Sequence, residues 1–345
     1  MSQVAPAPAG TDFDEKQVLL SVRDLQTEFV TPGGTVSAVR GVSFDIHRRE
    51  RVAIVGESGS GKSAMAMSVV GLLQHPGRVV GGSVELNGKS LRGRKDADLA
   101  RLRGKEVSLV FQDPMSAFDP IRTIGAQMVE SIQAHQNVNK ATARKIAADA
   151  LGEVGITNPA GRLSDYPHQY SGGMRQRVLI AMALVNSPDL VIADEPTTAL
   201  DVTTQAQVLE LLDRLVRERG AALMLITHNL GIVAGYCDSV KVMYAGQLVE
   251  EAPVTELFGQ PGHPYSQALI DCVVRPDTPR TDILPSIPGA LPDPTKPIIG
   301  CSFEPRCKRG HGDPLCQTQT PVMIQLGRGP LPHSAACHYA KEFVQ

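Results

Sequence analysis

The chain has no apolar run long enough to cross a bilayer: stretches such as LVIA and ALMLI stop far short of the roughly 20 residues that a spanning helix needs. It has almost no net charge either. With 36 acidic side chains against 34 Lys and Arg, no overall field draws it to nucleic acid or to an anionic membrane surface, and any phosphate chemistry must be local. The opening residues, MSQVAPAPAGTDFDEKQ, lack the basic n-region and apolar h-region of a secretory signal. Cysteine is scarce, six in 345 residues, which argues against a disulfide framework; free thiols in such a chain read as buried apolar groups or metal ligands. A soluble chain is expected, with any membrane role acting through a partner. Four of the six cysteines nevertheless fall in the last forty-five residues, at Cys301, Cys307, Cys316 and Cys337.

What is present is ample apolar content, 42% of residues, enough to bury a core without staples. Residues 1–17 are rich in Ala and Pro and are expected to be disordered. VLLSVRDLQTEFV then alternates as a strand does, TPGGT reads as a turn, and further strands run through SAVRGVSFDIHRRERVAIVG. A helix is expected from Ala64 to Leu73, and GGSVELNGKSL reads as a hairpin. A helical middle, about residues 113–182, follows the strand EVSLVFQ, with Ile146, Ala150, Leu151 and Val154 on one face. DLVIAD is a continuously apolar strand, and the helix after it carries a stripe of Val208, Leu211, Leu212 and Leu215 before a capping Gly220. AALMLITHN is another buried strand. This alternation predicts an α/β core with a parallel sheet. From about residue 260 the chain becomes dense in proline, with one helix expected near Tyr265 to Val274, so a boundary is placed there.

GESGSGKS follows the strand RVAIV and opens a helix, the context that a P-loop requires. Its glycines, Gly56, Gly59 and Gly61, let backbone N–H groups close around phosphates together with Ser58 and Ser60, and the helix N-terminus adds its dipole. Lys62 can then reach the β- and γ-phosphates and Ser63 can ligand Mg²⁺. A second cluster narrows the chemistry: LVIADEP ends a buried strand on Asp194, a partner for Mg²⁺ through water, and Glu195, placed to polarise an attacking water.

With YSGGMRQR standing between these two motifs, the chain resembles the ATP-binding subunits of ABC transporters. Ser171, Gly172 and Gly173 form the core of that family's LSGGQ signature, Tyr170 standing in place of Leu and Met174 in place of Gln. Gln112 in VFQDP matches the Q-loop and a Mg²⁺ contact, Asp201 in TTALD the D-loop, and His228 in ITHN the switch histidine; Phe29 is the candidate to stack on adenine. The resemblance implies a P-loop NTPase core of ABC type over residues 18–259, with a mixed sheet, an antiparallel β subdomain and a helical subdomain. It also implies a head-to-tail dimer with ATP between the P-loop of one subunit and the signature of the other. Glu195, His228 and Gln112 are then the catalytic set.

The tail resembles a narrower branch. GHPYSQALI, IPGALPD, GCSFEPRC, DPLC and ACHYA are similar to the C-terminal extension of oligopeptide, dipeptide and nickel importers, in which Met after the paired glycines is common. Residues 260–345 are therefore expected to form a small Pro- and Cys-rich domain. The resemblance implies ATP-driven peptide uptake at the cytoplasmic face of the cell membrane, with a second ABC ATPase (a heterodimer in preference to a homodimer), two permeases, an extracellular solute-binding protein and no nucleic acid. Nickel or another small solute is the alternative cargo; a soluble ABC ATPase of DNA repair or translation, or an exporter subunit, is the alternative role. The tail cysteines, separated by five, eight and twenty residues, lack the paired knuckles of a zinc ribbon. Four thiolates on proline-rich loops could bind a [4Fe-4S] cluster, which members of this branch are understood to carry, with Zn²⁺ as the alternative. His311, His333 and His338 read as solvated surface residues, Cys237 and Cys272 as apolar fillers.

Overall fold

The computed structural model describes residues 14–198, 200–273, 285–327 and 331–344. Of the stretch expected to be disordered, residues 1–13 lie outside these, and Asp14 already opens a strand. The chain forms two compact units, residues 1–92 with 227–345, and residues 93–226.

In the first unit Asp14–Thr31 lies between Gly34–Arg48 and Gly77–Leu86 in an antiparallel sheet, with the short Lys89–Ser90 outside. Leu20 and Val22 are fully buried, and so are Leu25 and Thr27, so the inward parity changes partway along the strand. The change falls at a register shift between Val22 and Leu25, where Asp24 takes φ 47, which is how a bulge keeps a long strand's apolar residues on one face. Asn87 and Gly88, both at positive φ, make the turn that the NG pair predicts.

The strands Arg51–Val55 and Ser239–Tyr244 are buried at every position and pair in parallel. Ser239–Tyr244 then turns through Ala245 and Gly246, at φ 45 and 80, into the antiparallel partner Gln247–Pro253. The tail continues this sheet: Ser334–Ala335 pairs with Gln247–Pro253, and Ile324–Gln325 pairs with Ser334–Ala335. The break in composition near residue 260 is therefore no break in contacts. Proline density marks irregular backbone, which packs as closely as regular structure does when its polar groups find partners.

The second unit holds three parallel strands, Val107–Val110, Leu190–Asp194 and Ala222–Thr227. Around them run Ile124–His135, Lys140–Glu153, Gly172–Leu184 and Val202–Glu218, each entered through a side-chain cap, Thr123, Asn139, Ser171 and Asp201. The last helix buries the expected Val208, Leu211, Leu212 and Leu215 and ends at Gly220. In Lys140–Glu153 the expected Ala150 and Leu151 are buried, as is Val154 just beyond it; Ile146 is only half-buried, and Ala143 and Ala147 complete the buried face. The helix expected at Ala64–Leu73 runs Lys62–Val70, and the tail helix is Pro264–Asp271, ending short of Val274, which is outside the described residues. Among the described residues no helix is long and apolar enough to cross a membrane.

His333 is not a solvated surface residue. With its side chain 2% exposed, it lies between two carboxylates, Nε2 3.0 Å from Glu250 and Nδ1 3.0 Å from Glu256. The fully buried Glu250 also accepts from the N–H groups of Gly262 (2.6 Å) and His263 (2.9 Å), which ties the start and end of the tail to one strand. The bond to Glu250 raises the His333 pKa above its ordinary 6.5. Its stabilisation is complete below that ordinary value and is lost as pH rises through the raised one. Amide exchange at Ile324–Gln325 and Ser334–Ala335, corrected for its intrinsic pH dependence, should accelerate as pH rises above the ordinary histidine value of about 6.5, and His333→Gln should remove that response.

Candidate nucleotide site

The loop from Gly56 to Gly61 is a concave run of backbone between the strand Arg51–Val55 and the helix Lys62–Val70. Two of its glycines are required by close approach. A Cβ on Gly56 (φ 154) would lie 2.2 Å from the Met243 carbonyl, and one on Gly61 (φ 100) 2.3 Å from that of Ala38. Gly59 is at φ 83. The Gly246 N–H donates to Ser60 O (2.9 Å), which fixes the loop on the hairpin turn beside it. Lys62, 5% exposed, donates from Nζ to the carbonyls of Gly56 (2.8 Å) and Glu57 (3.0 Å), which puts a cation inside the loop at the helix N-terminus. Ser58, Gly59 and Ser63 are exposed, and Ser60 is buried. Phe29 is half-buried on its strand, and its ring lies against Gly77, where an added Cβ would come within 2.8 Å of Cε1. His228 is exposed beside Asn229, which caps the helix Leu230–Tyr236.

In the second unit Asp194 is 3% exposed at the end of its strand, and Glu195 follows in the left-handed region at φ 44. Two donors hold Glu195 Oε2, Gln112 Nε2 and Thr198 Oγ1, each at 2.9 Å. Gln112 and Glu195, expected in separate roles, are in direct contact in the fold. Ser171 caps the helix Gly172–Leu184 by accepting from Met174 N (3.3 Å), and a Cβ on Gly173 would meet Thr204 at 2.8 Å. Tyr170, in the place of the usual Leu, fills the same buried position at 3% exposure and adds a bond from its hydroxyl to Arg162 O (2.8 Å). Burial pushes its pKa up to about 12, so it donates as a neutral phenol. Asp201 accepts from Thr204 N (3.0 Å) and Oγ1 (2.7 Å), and those bonds hold its pKa below the usual carboxylate range.

Residues 39–198 match the ABC transporter family, and residues 249–313 match the family described as oligopeptide/dipeptide transporter, C-terminal region. The chain is 45% identical over 328 residues to a probable peptide ABC transporter ATP-binding protein of Sinorhizobium fredii, covering 95% of this chain and 96% of that one. This chain belongs to the ATP-binding subunits of ABC transporters, in the oligopeptide/dipeptide branch. The ABC subunit is also 48% identical to the dipeptide transport ATP-binding protein DppD of Bacillus subtilis, over 84% of this chain and 86% of that one. To the oligopeptide transport ATP-binding protein OppD of Salmonella typhimurium it is 44% identical, over 92% of each. Among solved structures, the dimeric ADP- and phosphate-bound cassette MJ0796 is similar at TM-score 0.62 and 26% identity, over 68% of this chain and 99% of that one.

The four tail cysteines of this ABC subunit line one cavity, Cys307 and Cys316 buried and Cys301 and Cys337 half-buried. Gly310 makes room for them: a Cβ there would lie 2.9 Å from Cys316 Sγ and 3.6 Å from Cys307 Sγ. Backbone N–H groups point at sulfur, Gly310 at Cys307 (3.2 Å) and Tyr339 at Cys337 (3.4 Å). Burial, and then neighbouring thiols, push Cys316 up to about 11 and Cys337 up to about 12. Among the described residues no group of three or more His, Cys, Asp or Glu is set to hold a metal ion, so the expected cluster has no preformed ligand cage; what is present is a thiol-lined cavity with a glycine cradle. His338 donates or accepts at Gln319 O (2.9 Å), and the exposed His311 is 3.7 Å from Glu304.

Sequence reasoning missed three residues of the loop's surroundings: Glu57, Arg306 and Tyr265. Tyr265 was within reach as part of GHPY. His263, fully buried and held neutral with a pKa lowered to about 4 by that burial, caps the helix by accepting from Tyr265 N (3.0 Å), and Pro264 starts it. Nothing in the sequence singles out Arg306. Ser171→Ala should lower the stability of the full chain by about 1 kcal/mol through loss of the helix cap, read as a shifted denaturation midpoint, with the Gly172–Leu184 fold unchanged by circular dichroism.

Proposed function

We propose that this ABC subunit hydrolyses ATP to power uptake of oligopeptides or dipeptides at the cytoplasmic face of the membrane, docked on two permeases that receive cargo from an extracellular binding protein. The observation that carries the reading is one chain joining an ABC cassette to the oligopeptide/dipeptide transporter C-terminal region. The relatives named for dipeptide and oligopeptide transport, similar over most of their length, support it.

In this reading the loop residues Gly56, Ser58, Gly59, Ser60 and Gly61 surround the phosphates, while the Glu57 N–H stays on the Tyr265 hydroxyl. Lys62 leaves its two carbonyl partners for the β- and γ-phosphates. Ser63 and Gln112 would hold Mg²⁺, with Asp194 reaching it through water, and the bound ion would supply charge neutralisation for the phosphates. Glu195 polarises the attacking water, and the two donors on its Oε2 orient the carboxylate before water arrives. Ser171, Gly172 and Gly173 close on the γ-phosphate bound by a second subunit, a paralogue that completes a heterodimer, with Asp201 at the same junction. His228 steadies the γ-phosphate, and Phe29 stacks on adenine. The domain division follows the roles, a cassette to residue 259 and a branch-specific extension beyond it. Cys301, Cys307, Cys316 and Cys337, which line one cavity, would hold a [4Fe-4S] cluster through their thiolates, and the cluster would cross-link the extension's loops.

Glu195→Gln should retain Mg·ATP binding while turnover of the assembled transporter falls by about 10²-fold or more, whereas Lys62→Ala should weaken binding itself. Near wild-type hydrolysis by the Glu195 variant would remove it from the catalytic set. Anaerobic purification with iron, sulfide and zinc analysis should give about four irons and four sulfides per chain; colourless protein with one zinc would overturn the cluster.

A further inference from the structure

Glu57, the second residue of the phosphate loop, is gripped by the tail at both backbone and side chain. Its N–H donates to the Tyr265 hydroxyl (2.8 Å). Its carboxylate accepts both arms of the Arg306 guanidinium, Nη1 at 2.7 Å and Nη2 at 2.9 Å. Arg306 has no freedom of its own to move, because Nε donates to Pro288 O (2.8 Å), Nη2 to Ile287 O (3.1 Å), and its side chain is 3% exposed. The guanidinium lies 5.8 Å over the Tyr244 ring, and Tyr244, Tyr265 and Phe303 pack on one another with centroids 4.6 to 5.3 Å apart. On the other side the Glu57 carbonyl accepts from Lys62 Nζ (3.0 Å) and Ser60 N (3.1 Å).

We infer that Arg306 and Tyr265 are positioning residues for the phosphate loop, acting through Glu57 to hold its backbone in the shape that receives nucleotide. This role presupposes that the loop binds ATP. When Lys62 Nζ turns to phosphate, the Gly56 and Glu57 carbonyls lose their cation. The contacts that remain on Glu57 from outside the loop are those of Tyr265 and Arg306. A bidentate guanidinium–carboxylate pair fixes orientation as well as distance, which a lysine cannot reproduce. A loop already in its bound shape spends less free energy on ordering when ligand arrives, so the clamp acts on nucleotide affinity more than on the chemical step. The same groups explain why the aromatic core of the tail is built where it is: it is the anvil against which Arg306 is set.

The test is titration of the full-length chain with Mg·ATP, and steady-state hydrolysis by the assembled transporter, for Arg306→Gln, Arg306→Lys, Tyr265→Phe, Glu57→Gln and the double variant Glu57→Gln/Arg306→Gln. Arg306→Gln and Tyr265→Phe should weaken ATP binding by on the order of tenfold and raise KM with kcat changed less than about twofold; Arg306→Lys should lie nearer to Arg306→Gln than to wild type. The double variant should bind no more weakly than either single one, because each removes the same link. His333→Gln, which loosens the tail at Glu250 instead, is the control for general undocking and should leave ATP affinity within about twofold. The inference is overturned if Arg306→Gln binds ATP like wild type, if the two single losses add in the double variant, or if His333→Gln weakens binding as much as Arg306→Gln does. Full ATP binding by Lys62→Ala would instead overturn the assignment of the loop, a separate result.

Discussion

The backbone of the phosphate loop lies in direct contact with two neighbouring strands, and the rest of the first unit is arranged to permit it. Where Gly56 faces the Met243 carbonyl and Gly61 the Ala38 carbonyl, no side-chain carbon has room. One contact comes from the strand beside the loop and the other from the antiparallel sheet, so the position of the loop depends on both sheets. The tight turn at Ala245 and Gly246 serves the same end, since its N–H reaches Ser60. An anion cradle made of backbone is rigid only if what lies beneath it is rigid.

That rigidity is supplied in part by buried ion pairs. Arg51 is bound to Asp238, Lys241 to Glu251, and Glu50 to His47 and Ser239, each at the foot or flank of the strands that carry the loop. Glu250 with His333, and Glu57 with Arg306, extend the pattern into the tail. Such pairs contribute little net stability against apolar residues of the same shape, but a partner removed leaves an uncompensated charge, so they specify one arrangement strongly. The proline-rich segment, with few regular hydrogen bonds of its own, is held in register by charges.

The cassette was legible in the sequence because its chemistry needs particular residues in a particular order: GESGSGKS before a helix, SGG at a helix start, and DE at the end of an apolar strand all stand where those motifs place them. Strand and helix types were legible from alternation and stripes. The tail was not, since contacts such as Glu57 with Arg306 join residues 249 positions apart and leave no local pattern. His333 was misread for a related reason. It stands in LPHSAAC, too short a stretch to carry a stripe or an alternation, and only the fold brings two carboxylates to it. On Lys140–Glu153 the expected face is buried at Ala150 and Leu151, while Ala143 and Ala147 are more buried than Ile146, a ranking that periodicity alone does not carry.

The strand Gln247–Pro253 has Ser239–Tyr244 on one side only; its other side is taken by Ser334–Ala335, a two-residue strand from the far end of the chain. Without that cover the strand would present a row of open amides and carbonyls to any extended segment of another molecule. The tail therefore seals a sheet edge as well as bearing on the nucleotide loop. Shortening the chain to its ATPase motifs would turn that covered edge into an adhesive border.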